Sequence, residues 1–383
     1  MALRILWHGP HPDMPTGYAG QTALLLPRLK LLGHDVAVSA TAGQPNHPGF
    51  WHGIPVYPCT TYADVGEDVV GPHYRHFRAD LVITLLCTWL LSYPATWRDL
   101  RTVHLTPADC DPMSWADYQV IADTGGTPAA ISRFGEKMMR AGTEGRAALD
   151  PLYLPHGIDT KVFTPAPDRD ALRAGMGFDG KFMVGMNFMN NDRQRKNIEP
   201  ALRGFAEFRK KHKNAYLAIH ALNALPEGFH LQRLGRHIGS WDATSMSPQY
   251  ELVTGMITPP VLADWYRAMD VVLDIGNEGF GLTGLEAQAC GTPVIRGDWS
   301  TGPELVGPGF LIPASASEPY WNEKHQADWR RAHVAGVRQA LEEAYEQAAD
   351  RREASREFAV TYDIDDVVAR YWKPVLEDLA ADG

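Results

Sequence analysis

Residues 277–295 read NEGFGLTGLEAQACGTPVI. They follow the apolar run VVLDIG (271–276) and end in a second apolar run, so the order is strand, loop, helix, strand. That order belongs to a parallel α/β sheet, in which ligands bind outside the carboxyl ends of the strands, where loops meet helix N-termini. Gly279 and Gly281 let the backbone approach a ligand closely or adopt positive φ. The start of the following helix offers unpaired N–H donors and the positive end of a dipole, a geometry suited to phosphate. Glu278 stands in the loop just before this helix and Glu286 roughly one turn inside it. An ionised carboxylate only accepts hydrogen bonds, so two of them beside a phosphate site imply a ligand rich in hydroxyl donors. Phosphate and polyol together describe a nucleotide sugar. The plainer alternative makes Glu278 a helix-terminal charge and Glu286 an exposed helix residue, but the apolar surroundings leave few solvated positions.

Upstream, the first 40 residues give strand LRILWHG, glycine loop PTGYAGQ, helix TALLLPRLKLLG and strand HDVAVSA, the opening of a βαβ unit. Gly33 suits the stop of that helix. The runs LVITLLC, TVHLTP and PAAIS are further short strands of a first α/β domain. PHGIDTKVFTPAPDRD (155–170), with its prolines, breaks the periodicity and reads as a linker. A second series follows: KFMVGMNFM, AYLAIHAL, YELVTGMI, VVLDIG, TPVIRG and GFLIP are six strand candidates, most followed by helical patterns. Both domains are therefore doubly wound parallel sheets. From residue 326 to 360 the spacing of apolar residues predicts helix, and DIDDVVARYWKPVLEDL is a last amphipathic helix broken by Pro374.

The chain has 383 residues, 45% hydrophobic and 21% charged, which fits two folded domains rather than a disordered chain. Its longest apolar run, Leu81 to Tyr93, is too short to span a membrane. The apolar burst before His8 is too short for a signal peptide, so a cytoplasmic location is expected. The net charge of −10 argues against general affinity for polyanions, although RQRKN (193–197) and FRKKHK (208–213) are local basic patches. Cys59, Cys87, Cys110 and Cys290 form no CxxC pair and read as small buried residues.

EGFGLTGLEAQACGTPVI (278–295) resembles the signature of the retaining, GT-B-fold glycosyltransferases of family GT4, in which two glutamates separated by seven residues bracket a glycine loop. Other pieces match in order: TGYAGQTALLLPRLKLLGHDV (16–36), ISRFGEKMM (131–139), LPHGIDTKVFTP (154–165) and RKNIEPALRGFAEF (195–208). The resemblance implies two facing Rossmann-like domains with a cleft between them. Residues 1–165 would form the acceptor domain and 166–365 the donor domain, and a C-terminal helix, 366–383, would cross back to the first domain. It implies that Glu286 binds ribose hydroxyls and Glu278 the donor sugar. Gly281, Leu282 and Thr283 would present N–H groups to the diphosphate. Lys196 would neutralise the leaving diphosphate, a task with its own physical reason, since preorganised cations stabilise developing negative charge. The family usually carries an arginine just after the glycine of this strand, whereas here Met186 and Asn187 stand there; Arg193 or Arg195 is expected to substitute. Gly17 would approach the donor or acceptor, and His104, ending TVHLTP, resembles a first-domain histidine near the donor sugar. His156 reads as hinge support, and Ser132 and Arg133 as cleft lining or a helix cap.

The expected reaction is transfer of a hexose or related sugar, with retention, from a nucleoside-diphosphate sugar, UDP being the commonest nucleotide in the family. The side-chain cations and helix dipole replace a metal, so no metal or cofactor is expected, and DCD (109–111) is discounted as a metal motif. The acceptor is a hydroxyl of unknown class, soluble or polymeric; nucleic acid enters only as an acceptor, a modified base in phage DNA. Two other readings share the architecture: a sugar-nucleotide epimerase or hydrolase, and a non-catalytic sugar-nucleotide sensor.

Overall fold

A computed structural model describes residues 2–43, 47–59, 64–92, 94–143 and 145–382; Tyr93, at the end of the longest apolar run, lies outside them. The chain divides into two compact units. The first comprises residues 1–157, 321–327 and 364–383, the second 158–320 and 328–363. The first division falls inside the proline-bearing stretch 155–170.

In the first unit, strands β1 (Arg4–Gly9), β2 (Asp35–Ala40), β3 (Gly49–Trp51), β4 (Ile54–Tyr57), β5 (Leu81–Leu85), β6 (Thr102–Thr106), β7 (Thr127–Ala130) and β8 (Leu152–Tyr153) form one sheet. Their order is β3-β4-β2-β1-β5-β6-β7-β8, parallel except for the β3–β4 hairpin. The central strands are buried along nearly their whole length, as expected where both faces of a sheet are covered. Thr16 caps the Gly17–Leu31 helix by accepting from Ala19 N–H, and Gly33 takes φ +94° just beyond its end. Residues 364–383 complete this unit: Trp372 is fully buried, its ring lies 6.0 Å from that of Trp7, and its Nε1 donates to the Pro155 carbonyl at 3.1 Å. Residues 364–381 are helical without a gap, α at Ile364–Val367, π at Val368–Trp372 and α again at Lys373–Ala381, so Pro374 interrupts the α pattern without ending the helix.

In the second unit, β9 (Phe182–Asn187), β10 (Ala215–His220), β11 (Thr244–Met246), β12 (Val271–Leu273), β13 (Val294–Gly297) and β14 (Phe310–Ile312) are all parallel, in the order β11-β10-β9-β12-β13-β14. The core between sheet and helices contains Val184, Phe205, Phe208, Leu217, Val271 and Ile295. The chain leaves β9 in one direction and returns at β12 to build the other, so the topological switch lies between these two strands.

Two sequence expectations change. YELVTGMI (250–257) is not a strand: Gln249–Val253 is helical, Tyr250, Val253 and Met256 are exposed, and the sheet edge is instead Thr244–Met246. Residues 326–333 are not helix either. Ala327–Ala332 is β16, paired with β15 (Ser317–Asn322) in a hairpin, and helix begins only at Val334. Burial alternates only from Ala327 to Arg330, then Arg331 is exposed and Ala332 buried, so the strand is fixed by its pairing with β15 rather than by a strict period of two. Cys110 and Cys290 are buried, whereas Cys59 and Cys87 are only partly so.

Candidate functional site

The switch between β9 and β12 gathers the site of the second unit. The loop after β9 carries Arg195 and Lys196, the loop after β12 carries Glu278, and the Leu282–Ala289 helix carries Glu286. Gly281 precedes that helix at φ +106°, no side chain caps the helix, and its first turn holds no acidic residue. The N–H groups of its first turn, Leu282 and Thr283 among them, therefore lack intrahelical partners and remain suited to an anion.

Glu278 is buried, yet surrounded by cations. Lys196 Nζ donates to its Oε1, and Arg195 Nη1 lies 3.4 Å from its Oε2 while donating to the Asn277 carbonyl at 3.1 Å. Burial pushes this carboxyl up, but the charges of Lys196 and Arg195 prevail and hold it down to about 2. Burial and Arg195 lower Lys196, against the pull of Glu278. The backbone of Glu278 is fixed as well. Ser300, at φ +51°, accepts from Glu278 N–H at 2.9 Å and donates to its carbonyl at 2.5 Å. A non-glycine residue held in that region is a local strain, of the kind found where a site must be held in one geometry.

Glu286 has different neighbours. Asn187 Nδ2 donates to the Tyr266 hydroxyl at 2.7 Å, and Tyr266 donates to Glu286 Oε2 at 2.9 Å. Burial raises the Glu286 carboxyl to about 7, the Tyr266 bond opposes that rise, and the charge of Asp274 adds to it. Asp274 in turn is raised by its burial and by Glu278, against the nearby arginines and lysine. Both glutamates therefore feel one common carboxylate, although their direct partners differ.

Of the two arginines expected to replace the missing one, Arg195 reaches Glu278. Arg193 is exposed, and its Nε donates to the Gly228 carbonyl at 3.0 Å. Asn187, where the arginine was missing, serves the Tyr266–Glu286 chain. Asn197 and Asn277, neighbours of Lys196 and Glu278, anchor the hairpin: both donate to the Arg330 carbonyl at 3.0 Å, Asn277 Oδ1 accepts from Arg330 N–H at 2.8 Å, and Asn197 Oδ1 accepts from Ala332 N–H at 3.1 Å.

The expectation for His104 is corrected. Its ring is wholly buried in the first unit, bonded to Thr84 Oγ1 at 3.2 Å and Thr124 Oγ1 at 2.9 Å, and stacked on Trp97. Burial lowers it to about 4, so it is a neutral packing residue with no ring nitrogen left for a sugar. Gly17 opens its helix on the surface of the first unit. Ser132 caps the Arg133–Ala141 helix through Gly135 N–H, and His156 is buried. Among the described residues no cluster of three His, Cys, Asp or Glu side chains is placed to hold a metal ion. No helix among them is long and apolar enough to cross a membrane.

Sequence reasoning missed Tyr266, Ser300, Asp274 and Arg296. Arg296 ends the apolar run PVIRG, and a lone arginine closing a strand that points at the ligand loop was a visible signal. Its guanidinium is buried 3.3 Å from Asp274.

Residues 188–323 match the family described as Glycosyl transferases group 1. Among curated relatives, a D-inositol 3-phosphate glycosyltransferase of Xylanimonas cellulosilytica is 33% identical over 195 residues, 47% of this chain and 42% of that protein. The chain thus spans under half the length of this relative. Among solved structures, a glycosyltransferase from Rickettsia africae superposes with TM-score 0.70 at 13% identity, covering 100% of each chain. Anabaena Alr3699/HepE, solved in complex with UDP and glucose, gives TM-score 0.68 at 17% identity, covering 99% of this chain and 100% of that one. The architecture is the two-unit α/β arrangement named GT-B.

Proposed function

We propose that this chain, with a glycosyl transferases group 1 domain on a GT-B fold, transfers a sugar from a nucleoside-diphosphate sugar to a hydroxyl acceptor with retention at the anomeric carbon. One observation carries the reading: the buried Lys196–Glu278 pair stands at the β9/β12 switch beside the uncapped Leu282–Ala289 helix. Such a place supplies an anion site, a movable cation and a hydroxyl acceptor together.

In this reading the diphosphate lies on the N–H groups of Gly281, Leu282 and Thr283. Lys196 turns from Glu278 toward the phosphate oxygens, where negative charge grows as the bond from sugar carbon to oxygen breaks. Glu278, ionised at neutral pH, accepts from the donor sugar hydroxyls, and Glu286 accepts from the ribose. The acceptor oxygen bonds to the anomeric carbon on the face the diphosphate leaves, and its proton passes to a diphosphate oxygen. No divalent metal is required, because Lys196, Arg195 and the helix carry the neutralising charge. The Anabaena structure holds UDP, which favours a UDP-sugar, and the name of the Xylanimonas relative places phosphorylated inositols first among acceptors to try.

The test is a thermal-shift panel of UDP-, GDP- and ADP-sugars, since a ligand bound only by the native state raises Tm. Hits are then incubated with and without inositol phosphates and other polyols, in EDTA, and products are read by NMR of the anomeric proton. A retained linkage formed only with acceptor supports the proposal. Rapid change of the donor alone indicates an epimerase or hydrolase instead, and binding without turnover a sensor.

A further inference from the structure

Arg296 is the penultimate residue of β13 and is 1% exposed. Its guanidinium lies against the opening turn of the Leu282–Ala289 helix. A Cβ added to Gly281 would fall 2.1 Å from Arg296 Nη2, and one added to Gly284 would fall 3.3 Å from Nη1. A helix N-terminus carries positive partial charge, so a buried cation behind it is unfavourable unless anions balance both.

The balance is incomplete. The carboxylate beside Arg296 is Asp274, at 3.3 Å, and its Nη1 has no hydrogen-bond partner among the described residues. Beside it Lys196 and Arg195, both part-buried, stand opposite Glu278. The charge of Arg296 also bears on Glu278, while those of Lys196 and Arg195 bear on Asp274, so the five form one electrostatic cluster. Arg296 thus stands at the positive end of a helix that no side chain caps, with one buried N–H group of its guanidinium unpartnered among the described residues. A buried cation so placed is relieved by a bound anion. The glycines at 281 and 284 then have a steric reason beyond backbone freedom, since any side chain at Gly281 would occupy the place of the guanidinium.

We infer that Arg296 is a positioning residue of the diphosphate subsite: from behind the helix start it holds the Gly281 turn and raises the positive potential that the diphosphate meets. This rests on the transferase reading and deepens it, because it assigns the charge of Arg296 to the diphosphate and not to the base or the sugar. Arg296 acts through the field and through the turn, without touching the reacting atoms.

The experiment compares R296Q and R296K with the wild type by calorimetric binding of UDP, GDP and ADP and of their nucleosides uridine, guanosine and adenosine. For the diphosphate that binds best, R296Q is expected to weaken affinity about 10- to 100-fold, the size of one unit charge acting over roughly 6 to 10 Å at an effective dielectric of about 20. The matching nucleoside should change less than about threefold, and R296K should recover most of the loss, because it restores charge. If R296Q does not fold, R296M, whose unbranched stem fills the same space without charge, is measured in its place with the same expectation. Equal loss for nucleoside and diphosphate, or a folded neutral variant that binds the diphosphate like the wild type, overturns the inference while the transferase reading stands. Wild-type protein that binds none of the six overturns both.

Discussion

Replacing Lys196 by methionine keeps the apolar stem and removes the charge that faces Glu278. The Glu278 side chain is 11% exposed, so water cannot take over. In the wild type its carboxyl is held at about 2 rather than the ordinary 4.5. At 1.36 kcal/mol per pH unit, that difference corresponds to about 3 kcal/mol of stabilisation at neutral pH. Breaking a buried pair from one side costs about 3–5 kcal/mol, and the lower end applies because Arg195, 3.4 Å away, still partly compensates Glu278. In a unit of about 200 residues, each kcal/mol moves Tm by roughly 2–4 °C, so K196M should melt about 6–12 °C lower at pH 7. The pH dependence fixes the cause. A carboxyl with a depressed folded pKa stabilises fully above its unfolded value and loses that contribution as pH falls from 4.5 through about 2. The gap between wild type and K196M should therefore narrow over that window. The assay is differential scanning calorimetry at pH 7, 4.5 and 3, with K196M/E278L as control; that variant buries no orphan charge and should recover most of the loss. A K196M protein as stable as the wild type at pH 7, or a gap indifferent to acidification, refutes the reasoning.

Further outcomes are expected at other positions. Burial raises Glu286 to about 7, so its ionised, hydroxyl-accepting form fills in between pH 6 and 8; donor affinity should rise by up to about 10-fold over that range in the wild type and stay flat in E286Q, measured by titration calorimetry. The same shift costs the wild type stability as pH rises from 4.5 to about 7, and in full above 7, so E286Q should gain on the wild type over that window. G281A places a Cβ 2.1 Å from Arg296 at φ +106° and should cost about 1–3 kcal/mol in chemical denaturation and most of the donor affinity. W372A removes the ring packed near Trp7 and should cost the first unit about 3–5 kcal/mol.

The sequence carried the architecture because parallel strands buried on both faces leave long apolar runs, as in LVITL and FMVGMN, and because Thr16 and Gly33 punctuate a helix by local chemistry. The same logic singled out Glu278, Glu286 and Gly281, since charge inside apolar or glycine-rich sequence is legible without coordinates, whereas Lys196 followed only from the family resemblance. Tertiary facts were not. His104 looked like any histidine closing a strand, and only the hydroxyls of Thr84 and Thr124, twenty residues away on either side, show it to be satisfied inside the core. YELVTGMI was misread because exposed apolar residues imitate a strand, and the β15–β16 hairpin because burial in β16 alternates over only four residues before the helix beyond it. Arg296 escaped because its meaning comes from Gly281 and Asp274, which only folding brings to it.

The first unit is assembled from segments on both sides of the second. Trp7 is covered by Trp372, so its neighbourhood waits until the last part of the chain has been made. Some 200 residues separate Gly157 from Ile364, and at roughly 5–20 residues per second a ribosome needs about 10–40 s to supply them. During that interval the nascent first sheet carries an uncovered indole and the apolar floor around it. Chaperones that hold exposed apolar surface thus have a window in which to act, and a stalled or truncated translation product should aggregate through this patch although most of its strands are already present.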